Sequence, residues 1–101
     1  MNIERVLELF ENLELFLRMN GDITILSSYR ILNQTIEFLK SEEDVKEKER
    51  YVIRSYKALF PSKGALSEFY IWDNDFEKRK SLNESFEAIH NELWSIVKDY
   101  R

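Results

Sequence analysis

Two glycines and one proline are all that interrupt 101 residues, and this poverty of turn material constrains the fold more than any other feature. A β-sandwich or barrel needs a turn signal roughly every 8–12 residues, which this chain does not supply. Long helices separated by few breaks are the economical alternative. The apolar spacing agrees. From about Asn2 to Asn20, Ile3, Val6, Leu7, Phe10, Leu13, Phe16 and Leu17 recur at three- and four-residue steps, and Leu9, Leu15 and Met19 widen the stripe. A helix apolar on more than one face belongs at the centre of a domain. Asn20-Gly21 then offers a left-handed residue to end it.

A second helix starts at Asp22 or Thr24, carries Leu26, Tyr29, Leu32, Ile36 and Leu39 on one face, and is over by Lys40. Ser41 and Asp44 have the spacing of a capping box, and the acids from Glu42 to Asp44 suit a helix N-terminus in any case. The third helix is expected to turn Val45, Val52, Tyr56 and Leu59 inward and the run from Lys46 to Arg50 outward, stopping near Phe60 because Pro61 cannot continue it. Pro61-Ser62-Lys63-Gly64 is the one strong turn. A helical turn and an extended piece follow, rich in Ala65, Leu66, Phe69, Tyr70, Ile71 and Trp72. Ser81 and Glu84 form a second capping box before Leu82, Phe86, Ile89, Leu93, Ile96 and Tyr100, although a start near Asp75 is also compatible with Phe76 and the charged run behind it. The expectation is therefore an all-α, compact bundle of about four helices, with a short irregular aromatic segment between helices three and four. It forms one domain over residues 1–101, as the length implies.

Composition narrows the chemistry. There is no cysteine, so disulfides, thiolate zinc sites and a cysteine nucleophile are excluded, and a reducing compartment fits. Glu4, Arg5 and Glu8 break any apolar signal-peptide core near Met1, and no uncharged stretch is long enough for a bilayer. The expected location is the cytoplasm, without a membrane partner. A formal charge of −4 opposes nucleic acid and favours a basic protein partner. Lys78-Arg79-Lys80 is the longest basic run, but Asp73, Asp75, Glu77 and Glu84 flank it, so no nucleic-acid role is expected.

Residues that could carry catalysis or hold a metal are few. His90 is the only histidine and lies beside the Phe86, Ile89 and Leu93 stripe, which reads as a boundary residue hydrogen-bonded to a neighbour or to water. Asp73, Asp75, Glu77 and Glu84 fall at positions 1, 3, 5 and 12 of a calcium-loop frame, but Lys78 occupies the place where such a loop needs glycine. Glu42-Glu43-Asp44 sits in a charge-alternating run that reads as a solvated helix face. Gly21 and Gly64 are too far apart for a phosphate loop. No catalytic residue, no metal and no cofactor is expected. The candidate binding residues are Phe69, Tyr70, Trp72, Asp73 and Asp75, because aromatics with a polar tip serve both as core plugs and as interface anchors. Two readings stay open, a lid on the core or a partner-binding edge, as does a mixture with Phe69 and Ile71 inward and Tyr70 and Trp72 at the rim.

Gly64 to Ile71, then Asn83, then Glu92-Leu93-Trp94 in the last helix, resemble a family of small bacterial all-helical domains of unknown function. These carry a glycine-rich turn and a short apolar stretch before their final helix. The resemblance covers Arg54 to Val97 and departs at Pro61, Ser62 and Lys63, where the family has more glycine. What it implies is a non-enzymatic, protein-binding role similar to that of immunity proteins, which neutralise a toxin by covering its working surface. A structural or homodimeric bundle is the alternative, suggested by the apolar residues outside the main stripe of the first helix.

Overall fold

The computed structural model describes residues Met1 to Tyr100. Four α-helices make up the bundle: α1 (Ile3–Asn20), α2 (Leu26–Lys40), α3 (Val45–Leu59) and α4 (Phe76–Val97), with 3-10 turns at Ile23–Ile25 and Ala65–Glu68. No strand occurs among the described residues. Contacts between the helices fix an up-down-up-down order. Glu11 pairs with Lys40 and Glu14 accepts from Tyr29, so α1 and α2 run antiparallel. Phe38 stacks on Tyr51 and Thr35 meets Ser55, which sets α3 antiparallel to α2. Arg5 grips Glu92 and Phe16 meets Phe86, which closes α4 onto α1.

The helix starts explain themselves through their caps. The side chains of Asn2, Asp44 and Asp75 accept backbone N–H groups of the first turns of α1, α3 and α4, satisfying donors that have no partner inside the helix. Two of these differ from the capping boxes expected from sequence. Ser41 belongs to the end of α2, since its N–H and its hydroxyl both donate to Phe38 O, and Asp44 alone caps α3. Ser81 lies inside α4, because the Asp75 carboxylate takes the N–H groups of both Glu77 and Lys78 and starts the helix at Phe76. The end of α1 also differs. Gly21 is extended (φ −82°, ψ 168°) rather than left-handed, and glycine is needed for room: a Cβ there would come within 2.7 Å of Leu17 O and 2.8 Å of the Ile25 side chain.

Val6, Leu9, Phe10, Leu13 and Leu17 of α1 form the spine of the core, facing Leu32 and Leu39 of α2, Val52 and Leu59 of α3, and Phe86, Leu93 and Val97 of α4. Helix α1 touches all three other helices, as its wide apolar face implies. The face is narrower than its sequence suggests, since Leu15 and Met19 are exposed. Val45, expected inward, is exposed as well. It is the first residue of α3, about two turns short of Val52, where that helix reaches the core. Inside, Thr35 Oγ1 lies 2.7 Å from Ile31 O and 2.7 Å from Ser55 Oγ, so a proton from Thr35 to Ile31 and one from Ser55 to Thr35 satisfy the pair. Among the described residues, no buried side-chain nitrogen or oxygen lacks a partner, as a stable interior requires.

Candidate functional site: a pinned aromatic strap

The segment between α3 and α4 begins with a reversal at Gly64 (φ +81°) and Ala65 (φ +47°). Positive φ at Ala65 costs on the order of 1–2 kcal/mol, so the surroundings must hold it. They do so through Leu66, which is fully buried, and through Ser67, whose hydroxyl donates to Pro61 O at 2.5 Å. Past the 3-10 turn the chain runs extended, and its side chains alternate with the period of a strand. Phe69 turns inward and meets Phe86 edge-on at 5.3 Å. Ile71 is buried, whereas Tyr70 and Trp72 stand 61% and 70% exposed. Of the arrangements the sequence leaves open, the mixture with Phe69 and Ile71 inward and Tyr70 and Trp72 outward is the one that occurs.

Among the described residues no neighbouring strand holds this strap. Asn83 of α4 does the work instead: its Oδ1 accepts the Ile71 N–H at 3.0 Å, and its Nδ2 donates to Ile71 O at 2.9 Å. One amide side chain thus satisfies both backbone groups of one strap residue, as a paired strand would. Nδ2 also donates to Arg79 O at 2.9 Å, which fixes the rotamer from its own helix. Downstream, the Arg79 guanidinium lies 4.3 Å from the centre of the Trp72 ring and 5.2 Å from that of Phe76. Phe76 is 59% exposed, so Trp72 and Phe76, both against Arg79, and Tyr70, beside the clamped Ile71, leave three aromatic rings outside the core.

The two acids proposed for the site have local duties. Asp73 accepts the Asp75 N–H and pairs with Lys78 at 3.5 Å. That N–H, together with the nearby cations, holds its carboxyl below the usual range. Asp75 caps α4. Both therefore shape the turn, and any contact they make with a partner uses the oxygens left over. Asn83, Phe76 and Arg79 went unrecognised as site residues in the sequence. The signal was there: Phe76, Arg79, Asn83, Phe86 and His90 recur at helical steps, a second stripe beside the core stripe of α4.

Beneath the strap lies a depression of about 150 Å³ lined in part by Ser67, Asn83, Glu87 and His90. Its polar groups point to other tasks. The Ser67 hydroxyl is committed to Pro61 O. His90 stacks on Phe60 at 3.8 Å and its Nε2 lies 2.8 Å from the Tyr56 hydroxyl. Burial pushes the imidazole below its usual pKa, with Glu87 opposing weakly, so it is neutral near pH 7. Among the described residues, no three acids, histidines or cysteines gather closely enough to hold a metal ion, and no helix is long and apolar enough to cross a membrane. No family model, curated protein or solved structure matches the chain, so the site rests on its own geometry.

Proposed function

We propose that the chain is a protein-binding module that acts by covering a surface of its partner and performs no chemistry itself. The observation that carries this reading is that Tyr70, Trp72 and Phe76 stay outside the core on a backbone fixed by Asn83. At the exposures found, the three rings offer roughly 300–500 Å² of apolar area, the size of the functional patch on a typical monomer. A segment already ordered loses little entropy on binding, and Trp, Tyr and Arg are the side chains on which interface energy concentrates. The net charge of −4 favours a basic partner and would speed encounter at low salt. An immunity-like role, neutralising a toxin by occlusion, belongs to this class and is the form that the resemblance described above favours.

The experiment is co-expression with the products of reading frames flanking the gene, followed by calorimetry on any complex. A 1:1 complex is expected, with affinity falling on the order of 10- to 100-fold in Trp72→Ala and in Tyr70→Ala, while both variants remain folded. Unchanged affinity in both would move the interface off the strap. A second reading, self-association, rests on Leu15, Met19 and Ile23, which are 45%, 74% and 83% exposed near the α1–α2 turn. Light scattering at high concentration separates the two, since a strict monomer removes the homodimer.

A further inference from the structure

Away from the strap, the trough between α3 and α4 has a different character. Two adjoining depressions share Ile53 and Lys57 in their walls: one of about 180 Å³ lies between α3 and α4, and one of about 290 Å³ beside it is lined by α3 alone. The floor is apolar and aromatic, with the Tyr56 and Trp94 rings stacked at 6.1 Å. The rim is cationic: Arg50, Arg54 and Lys57 line it, and among the described residues no carboxylate does. In a chain whose acids outnumber its lysines and arginines 19 to 15, a trough with this lining is a local inversion of charge. The helix dipole accounts only for Lys57, in the last turn of α3, because its influence fades beyond one turn. Arg50 is tied to Glu47 on its own helix. Arg54 rests 5.0 Å from the centre of the Tyr51 ring and, like Lys57, makes no ion pair among the described residues.

We infer that this trough receives an acidic amphipathic helix from a partner protein. The depression between α3 and α4, about 180 Å³, is smaller than the roughly 300–1,000 Å³ of a small-molecule site and suits a single side chain. Arg50, Arg54 and Lys57 rise one turn at a time along α3, covering about 10 Å. That is the repeat at which acidic residues on an incoming helix line up beside its apolar stripe. Apolar side chains fill the Ile53 and Trp94 floor, and the flanking carboxylates meet the rim. This inference is independent of the strap and survives if the strap binds nothing.

The test uses the full chain carrying Trp72→Phe, so that Trp94 is the only tryptophan. Two helical peptides share a leucine stripe and differ only in having Glu or Lys beside it. The Glu peptide is expected to shift Trp94 emission and the amide resonances of Ile53 and Lys57, binding on the order of tenfold or more tightly than the Lys peptide. Arg54→Glu/Lys57→Glu, two exposed positions where folding should not suffer, should reverse that preference. Equal binding of the two peptides, or none, overturns the inference. So does a response to phosphatidylserine vesicles but not to the Glu peptide, which would mark a lipid surface, or concentration-dependent shifts without peptide, which would mark a second copy of the chain.

Discussion

Replacing Asn83 with Ala tests whether one side chain holds the strap. The change removes the bonds to Ile71 N–H, Ile71 O and Arg79 O. If the strap stayed in place, two backbone groups of a residue only 7% exposed would lose their partners, at about 1–3 kcal/mol each. If it peeled away, water would satisfy both groups, and the loss would be Ile71 burial, roughly 1.5–3 kcal/mol, plus about 1–3 kcal/mol net for the two bonds. Freed backbone entropy of about 1–2 kcal/mol for each residue released offsets part of that. Peeling is the cheaper course, and a net loss of about 2–3 kcal/mol is expected. Urea denaturation should report that loss globally. Hydrogen exchange should find the Ile71 amide unprotected while amides of α1 stay slow. Asn83→Asp sharpens the test. It keeps an acceptor for the Ile71 N–H but turns a charged oxygen toward two carbonyls, so only its protonated form can donate, and with its one O–H to only one of them. The folded state would hold that proton more tightly than the unfolded chain, and the variant should gain stability as pH falls through the carboxyl range, as Asn83→Ala should not. A wild-type urea midpoint and a protected Ile71 amide in Asn83→Ala would refute the clamp.

Other substitutions separate causes that look alike in sequence. Gly21→Ala should cost about 1–3 kcal/mol by overpacking, because its Cβ meets Leu17 O and Ile25. Gly64→Ala meets nothing within 4 Å but must hold φ at +81°, at about 1–2 kcal/mol; urea midpoints of both, with Gly64→Asn partly restored, check the difference. Thr35→Val should lose about 1–2 kcal/mol by stranding the buried Ser55 hydroxyl, and adding Ser55→Ala should recover part of it in a double-mutant cycle. His90 is held below the 6.5 of a free imidazole by burial, so the unfolded chain takes the proton first. Stability is then full above pH 6.5, declines as pH falls toward the folded value and levels off below it, and His90→Gln should remove that portion of the urea-midpoint profile. Trp72→Ala should cost under about 1 kcal/mol, the worth of an exposed cation–π contact, whereas Phe69→Ala should cost about 3 kcal/mol by opening a gap against Phe86; equal losses in thermal melts would make Trp72 part of the lid.

The helices were legible because burial of one face imposes a period, and the period survives without knowledge of what lies opposite. Where two residues could serve as a cap, tertiary context chose between them. Ser41 and Asp44 both suit a helix start, and the choice turned on Ser41 still being bonded to Phe38 at the end of α2. Gly21 shows the same limit. Its position marks a chain reversal, but the reason it must be glycine is the Ile25 side chain, which comes against it only when the 3-10 turn folds back. In the strap, alternation told which side chains point inward. The element that makes alternation possible without a sheet, Asn83, lies twelve residues on and looks in sequence like any polar residue at the edge of a helix.

Extended backbone outside a sheet is costly to bury, since each residue brings a donor and an acceptor that need partners. The chain keeps that cost to one residue. Ile71 is the only strap position whose two backbone groups both go to Asn83, and it lies between the two most exposed aromatic residues of the segment, Tyr70 and Trp72. Fixing the two peptide groups on either side of Ile71 therefore sets the backbone from which both side chains leave. A strap serving only to cover Phe86 would be complete with Phe69 and Ile71 inward, and polar side chains at 70 and 72 would remove apolar area from water at no loss of packing. Large rings at those positions, with Arg79 holding one of them in place, add nothing to the core. What they add is exposed aromatic surface, of which Trp72 is held by Arg79.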